Sequence, residues 1–197
     1  MCQALGLAAC PIAFWRGDLT SAARLTQNLL EYARRYTFNR WVTFASCYEL
    51  TLRLFLDGTT ESQVQGTETG QSVPDGAFFR ETLATIHDHW IDRATLDRAR
   101  RGLCGWSGPE ILRAAAAREP DLTESATVYE ESRRMAQTQN ALAWELRSIM
   151  SLAGIWSEQD RRLEAAVDLR SVYARFEEGL DTADLKQARE LLDTLEN

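Results

Sequence analysis

Residues 142–176 read LAWELRSIMSLAGIWSEQDRRLEAAVDLRSVYARF. Apolar side chains fall at Leu142, Leu146, Ile149, Met150, Ala153 and Trp156, a spacing of three, four and seven that draws one stripe along a helix. A second stripe follows at Leu163, Val167, Tyr173 and Phe176. Between the two lies SEQDRR, short and polar, so the second helix must fold back along the first. Ala153 and Ala165 let the pair approach closely, and Trp156 and Leu169 fill the space beside them. The unit is an antiparallel helix pair.

The same periodicity runs outward in both directions. Leu25, Leu29, Tyr32 and Tyr36 form one stripe. Trp41, Phe44, Ala45, Tyr48, Leu52 and Phe55 form the next, with Asn39 as its N-cap and Gly58 as its stop. Pro109 after Ser107-Gly108 opens a helix, and Glu119-Pro120-Asp121 ends one and begins another. The expected helices are 4–15, 18–36, 39–57, 77–90, 92–103, 109–118, 122–138, 140–157, 161–177 and 182–195. No run alternates apolar and polar residues as a strand does. The fold class expected is all-α, an α-α superhelix of antiparallel pairs, about ten helices in one domain over 1–197. Residues 59–76 are the exception. TTESQVQGTETGQSVP is rich in Thr, Gln, Gly and Ser, and it reads as a flexible loop.

Composition narrows the role. The chain has 197 residues, 45% of them hydrophobic and 26% charged, the balance of a globular protein. Acidic residues outnumber basic ones by 29 to 22, a net charge of −7, which repels phosphate backbones and argues against nucleic acid as a partner. No apolar run is long enough to span a bilayer, and the uncharged stretch from Ala4 to Trp15 has no basic region before it, so the expected compartment is the cytoplasm. Cys2, Cys10, Cys47 and Cys104 share no metal-ligand spacing and read as buried, reduced thiols. Lys186 is the sole lysine. With no G-x-x-x-x-G-K-[ST] there is no phosphate-cradling loop.

Turns recur near residues 17, 58, 90, 120 and 159, roughly the 30–40 residue period of helical solenoids. The 142–176 unit resembles the tetratricopeptide pattern, without the usual glycine in the first helix. Three stretches, AACPIAFWRGDLTSAARLTQNLLEYARR, ALAWELRSIMSLAGIWSEQDRR and RFEEGLDTADLKQARELLDTLEN, look like the C-terminal helical-repeat region of large bacterial signalling ATPases. In that family the repeats follow a nucleotide-binding switch domain, and an effector precedes it, either a winged-helix DNA-binding domain or an adenylate-cyclase-like domain. The resemblance runs over 5–57, 106–138 and 140–195. It fails over 58–105, where the polar loop stands in place of a repeat helix. It implies a sensory or autoinhibitory array that binds a protein partner or effector in transcriptional regulation and signal transduction. It implies no enzyme activity of the array's own and no cofactor. A gene fragment that has lost its output partner is a further possibility.

Chemistry-bearing constellations are sparse. His87 and His89 lie two apart, about 200° around a helix, too divergent to share one metal. Gly105-Trp106-Ser107-Gly108-Pro109 lacks the strand and the second glycine of a nucleophile elbow. Arg16-Gly17-Asp18 falls in a turn. Glu130-Glu131 and Glu177-Glu178 diverge as helical neighbours. The alternative class is a small-molecule or metal-dependent enzyme on a helical bundle, which needs His87, His89 or Glu145 in a pocket with converging polar groups.

Two surfaces are expected to bind. First helices of successive pairs line the concave face of a solenoid, which nominates Arg40, Tyr48, Arg53, Trp144 and Arg147, residue types common in binding hot spots. The uncharged first helix needs cover, so Leu5, Leu7, Ile12 and Phe14 are expected to meet a partner, a preceding repeat or a second copy in a homodimer.

Overall fold

The computed structural model describes residues 1–57 and 76–196. Among the described residues the chain is all helical, with ten helices and no strand. The polar loop expected over 59–76 lies outside them, apart from Gly76. Where the sequence suggests one domain, the described residues group into two compact units, Met1–Trp90 and Ile91–Asn197.

In the first unit, helix α1 (residues 2–15) runs as Cys2–Ala4, a π-helical turn Leu5–Ala9, and Cys10–Trp15. It packs on α2 (Leu19–Arg35) and α3 (Asn39–Asp57). Gly6 is what allows the approach. A Cβ there would lie 2.5 Å from the Trp41 ring, and the Gly6 carbonyl accepts a 2.6 Å hydrogen bond from the Tyr48 hydroxyl. The core is aromatic. Phe14, Phe44, Tyr48 and Phe79 are buried, and the Phe44 and Phe79 rings stack 3.4 Å apart at 7°. Phe79 belongs to α4 (Ala77–Ala84). The periodicity carries a helix on to residue 90, but α4 stops at Ala84. The Thr85 hydroxyl donates back to the Thr82 carbonyl and accepts from the Trp15 indole. Such a local bond competes with the helical ladder, and the chain resumes as a 3₁₀ turn at Asp88–Trp90.

The second unit holds α5 (Arg93–Arg100), α6 (Gly108–Ala116), α7 (Leu122–Thr138), α8 (Leu142–Glu158), α9 (Arg162–Tyr173) and α10 (Ala183–Glu196). From α5 on, each helix packs on the next, and α8 also packs on both α6 and α10. Hydrogen bonds set the direction. Ser125 of α7 donates to the Ala116 carbonyl and Ser132 to the Pro109 carbonyl, so α7 runs antiparallel to α6. Ser132–Ser148 and Gln137–Glu145 bonds give the same relation between α7 and α8. This core is mainly aliphatic, built on Leu146, Ile149, Leu152, Leu169 and Val172, with Tyr129 and Trp156 buried in it. Along α9 the buried stripe is Ala165, Ala166, Leu169 and Val172. Leu163 and Val167, apolar by sequence and expected to face inward, stand 81% and 67% exposed.

Five helix ends share one turn. Gly17, Thr37, Gly102, Asn140 and Asp160 all have φ between 53° and 71°. The residue after each donates its N–H to a carbonyl five positions back: Asp18 to Ala13, Phe38 to Ala33, Leu103 to Arg98, Ala141 to Ala136 and Arg161 to Trp156. This closure satisfies carbonyls that the helix end leaves open. Glycine adopts it without strain and asparagine and aspartate tolerate it, while threonine, branched at Cβ, does not favour it.

Candidate functional site

In the second unit, α6, α8 and α10 present one connected set of charges. Glu110 on α6 is buried, with 2% of its side chain exposed. Arg113 grips it with two hydrogen bonds, Nε and Nη2 at 2.8 and 2.9 Å. Arg147 on α8 donates from Nη1 to the same carboxylate at 3.1 Å, and from Nε to Asp184 on α10 at 2.8 Å. Three helices are thus fastened through one guanidinium. Burial works against the charge on Arg113, but the Glu110 carboxylate and its hydrogen bonds outweigh that and hold its pKa above the ordinary arginine value.

This network forms one wall of a groove of about 290 Å³, lined by Arg113, Arg147, Met150, Ser151, Asp184, Gln187 and Leu191. The Arg147 guanidinium also lies over the Trp144 ring, 5.1 Å from its centroid, and Trp144 stacks on Trp106 at 6.4 Å and 23°. Aromatic rings and a guanidinium therefore continue the surface from the groove along α8.

The five nominated groove residues divide between the units. Trp144 and Arg147 line or adjoin the groove. Arg40 and Arg53 are exposed in the first unit, with Arg40 stacked over Phe44 at 5.6 Å. Tyr48 is not a surface residue. It is fully buried, its ring set 5.7 Å from both Phe14 and Phe79, and burial pushes its phenol well above the usual value. Its stripe position was equally consistent with facing the core, and the core took it. The first-helix surface needs a similar correction. Phe14 is 6% exposed inside the aromatic core, and Leu5 and Leu7 are half-buried against it. Ile12 is 49% exposed and shares its face with Ala4 and Ala8.

Of the residues nominated for an enzyme, Glu145 is buried and accepts hydrogen bonds from Gln137 and Arg175 at 2.9 and 2.6 Å. His87 accepts the His89 backbone N–H at Nδ1 and sets its ring edge-on to Phe55. Among the described residues no group of three or more His, Cys, Asp or Glu side chains could hold a metal ion. The four cysteines are buried, and burial raises the Cys10 and Cys47 thiols to about 11 and about 12. Those two thiols are therefore protonated and poor nucleophiles near neutral pH.

Glu110, Arg113, Asp184 and Gln187 were not singled out by the sequence pattern. The signal that points to Glu110 and Asp184 is spacing: Glu110 to Arg147 and Arg147 to Asp184 are each 37 residues, with alternating charge. Arg133 of α7 and Asp168 of α9 repeat the device at 35 residues and 2.8 Å. No family model matches the sequence, and neither a curated protein nor a solved structure is similar enough to count as a match. No helix among the described residues is long and apolar enough to cross a membrane.

Proposed function

We propose that this protein is a non-enzymatic helical-repeat module, of tetratricopeptide-like superhelical design, that binds a protein partner along α6, α8 and α10. The carrying observation is the Glu110–Arg147–Asp184 bridge. It spends a buried carboxylate on fixing alternate helices beside an open groove, where a core alone would take apolar residues at less cost in desolvation. Hydrogen-bonded charges hold a surface in register, and a pre-ordered surface loses less entropy on binding. The near-equal spacing of the cross-helix pairs supports a repeat architecture.

By its resemblance, the module serves bacterial signalling or transcriptional regulation, relaying binding to an attached or associated ATPase and output domain. That part rests on family analogy. We place it in the cytoplasm, where the redox poise keeps cysteine reduced and buried thiols such as Cys10 and Cys47 serve as core residues.

The test is site-specific photo-cross-linking in cells. A photoactivatable residue at Ser151, in the groove, is compared with one at Glu130, on the exposed side of α7. A discrete protein adduct from Ser151 and none from Glu130 is the expected result. Equal adducts from both positions, or none from Ser151, contradict the reading.

A further inference from the structure

Helices α7 and α9 bury the same phase of their sequence, Ser125, Tyr129 and Ser132 in one and Ala165, Leu169 and Val172 in the other. The opposite phase faces solvent in both, and there the two differ. α7 turns out Thr123, Thr127, Glu130 and Arg134, as a solvated helix does. α9 turns out Leu163, Val167, Arg170 and Ala174. These four keep helical spacing, so they form one straight stripe. They floor a groove of about 540 Å³ edged by Ser171 and Glu196. α9 is therefore apolar on two faces, and the described residues cover one of them.

The charges bordering the stripe are paired within the chain. Arg161 donates to Glu164 at 2.9 and 2.6 Å, and Arg170 pairs with Glu196. Charge therefore does not select the occupant; shape does, and the stripe is its own complement. Leu163 and Ala174 lie at equal distances from its midpoint, as do Val167 and Arg170. An antiparallel helix bearing the same stripe sets the large Leu163 against the second copy's small Ala174, and Val167 against the aliphatic stem of the second copy's Arg170. The same contacts recur across a two-fold axis, which is what an isologous interface requires. We infer that this face is a homodimer interface, in which two copies pack α9 on α9, antiparallel, through Leu163, Val167, Arg170 and Ala174. The paired rim lets a chain of net charge −7 meet itself without burying an uncompensated charge. α9 gives no side chain to the groove of α6, α8 and α10, so the two surfaces are tested independently.

The experiment follows the mass of the pure protein by sedimentation over a wide concentration range, where a monomer–dimer equilibrium is expected. Val167→Glu should weaken dimerisation by more than about tenfold, because it sets two unpaired carboxylates in an apolar contact. Val167 is exposed in a single copy, so the fold does not depend on it, and an unchanged helical spectrum checks that. Thr127→Glu, at the corresponding phase of α7, should leave association unaltered. Register is read by mixing a Leu163→Cys chain with an Ala174→Cys chain of different mass under mild oxidation. The mixed disulfide should dominate, since like residues of the two copies stand about 16 Å apart along the helix axis, too far to bridge. The native cysteines are buried. A monomer at every concentration, a dimer that Val167→Glu leaves intact, or like-with-like disulfides in equal or greater yield overturns the inference. A monomer that captures a different protein in cells from a photoactivatable residue at Val167 overturns it in favour of another occupant.

Discussion

The two units solve the same packing problem with different side chains. In Met1–Trp90 the buried core is largely aromatic, built on Phe14, Phe44, Tyr48 and Phe79, while Tyr36, Phe38, Phe55 and Phe78 stay exposed. In Ile91–Asn197 the core is mainly aliphatic with Tyr129 and Trp156 buried in it, and the rings of exposed Trp106 and half-buried Trp144 lie at the surface beside Arg147. The units differ in how much of the core leucine and isoleucine fill, and in the second the rings of Trp106 and Trp144 adjoin a guanidinium that bridges three helices.

The comparison makes its largest demand at Phe44. Phe44→Ala removes one face of the Phe44–Phe79 stack and leaves a cavity among buried rings, which should cost about 4 kcal/mol. Hydrogen exchange should show the lost protection concentrated in residues 1–57 and 77–90. Loss spread equally over α6 to α10 would dissolve the distinction between the units.

Glu110→Gln is the corresponding break in the second unit. It leaves two guanidinium groups without a buried counter-charge and should cost about 3 kcal/mol. Because the carboxylate is 2% exposed, added salt should not mimic the mutation, as it would for a surface pair. Urea unfolding at low and high ionic strength checks both points.

A smaller effect is expected at Thr37, whose φ of 55° suits glycine. Thr37→Gly relieves that strain, and glycine's extra freedom in the unfolded chain takes part of the gain back, leaving a stabilisation of about 0.5 kcal/mol. Asn140→Gly and Asp160→Gly should gain less, because asparagine and aspartate already tolerate the left-handed region. Thermal unfolding of the three variants ranks them.

Most of the helical layout was legible because period and punctuation agree. α3 and α7 occupy 39–57 and 122–138 in the sequence pattern and in the structure alike. Pattern and structure part where a side-chain hydroxyl or a left-handed residue ends a helix early, as at Thr85 and Gly102. Orientation around a helix was legible only in part. Leu163 and Val167 have the spacing of a core stripe yet stand exposed, whereas Ala165 and Leu169, which the sequence marks as close-packing positions of the pair, are buried along with Ala166 and Val172. A stripe shows that a face is apolar, not which of two faces a neighbour covers. The groove was half legible. Trp144 and Arg147 carry the composition of a hot spot, whereas Glu110 and Asp184 look like any solvated acid until α6, α8 and α10 are set side by side.

The most direct test of the binding face is photo-cross-linking in cells from Gln187, at the groove, set against Arg40, exposed in the first unit. A discrete protein adduct from Gln187 and none from Arg40 is the result the account predicts. Adducts from Arg40 alone, or equally from both positions, would contradict the assignment of this face as the place where the protein meets its partner.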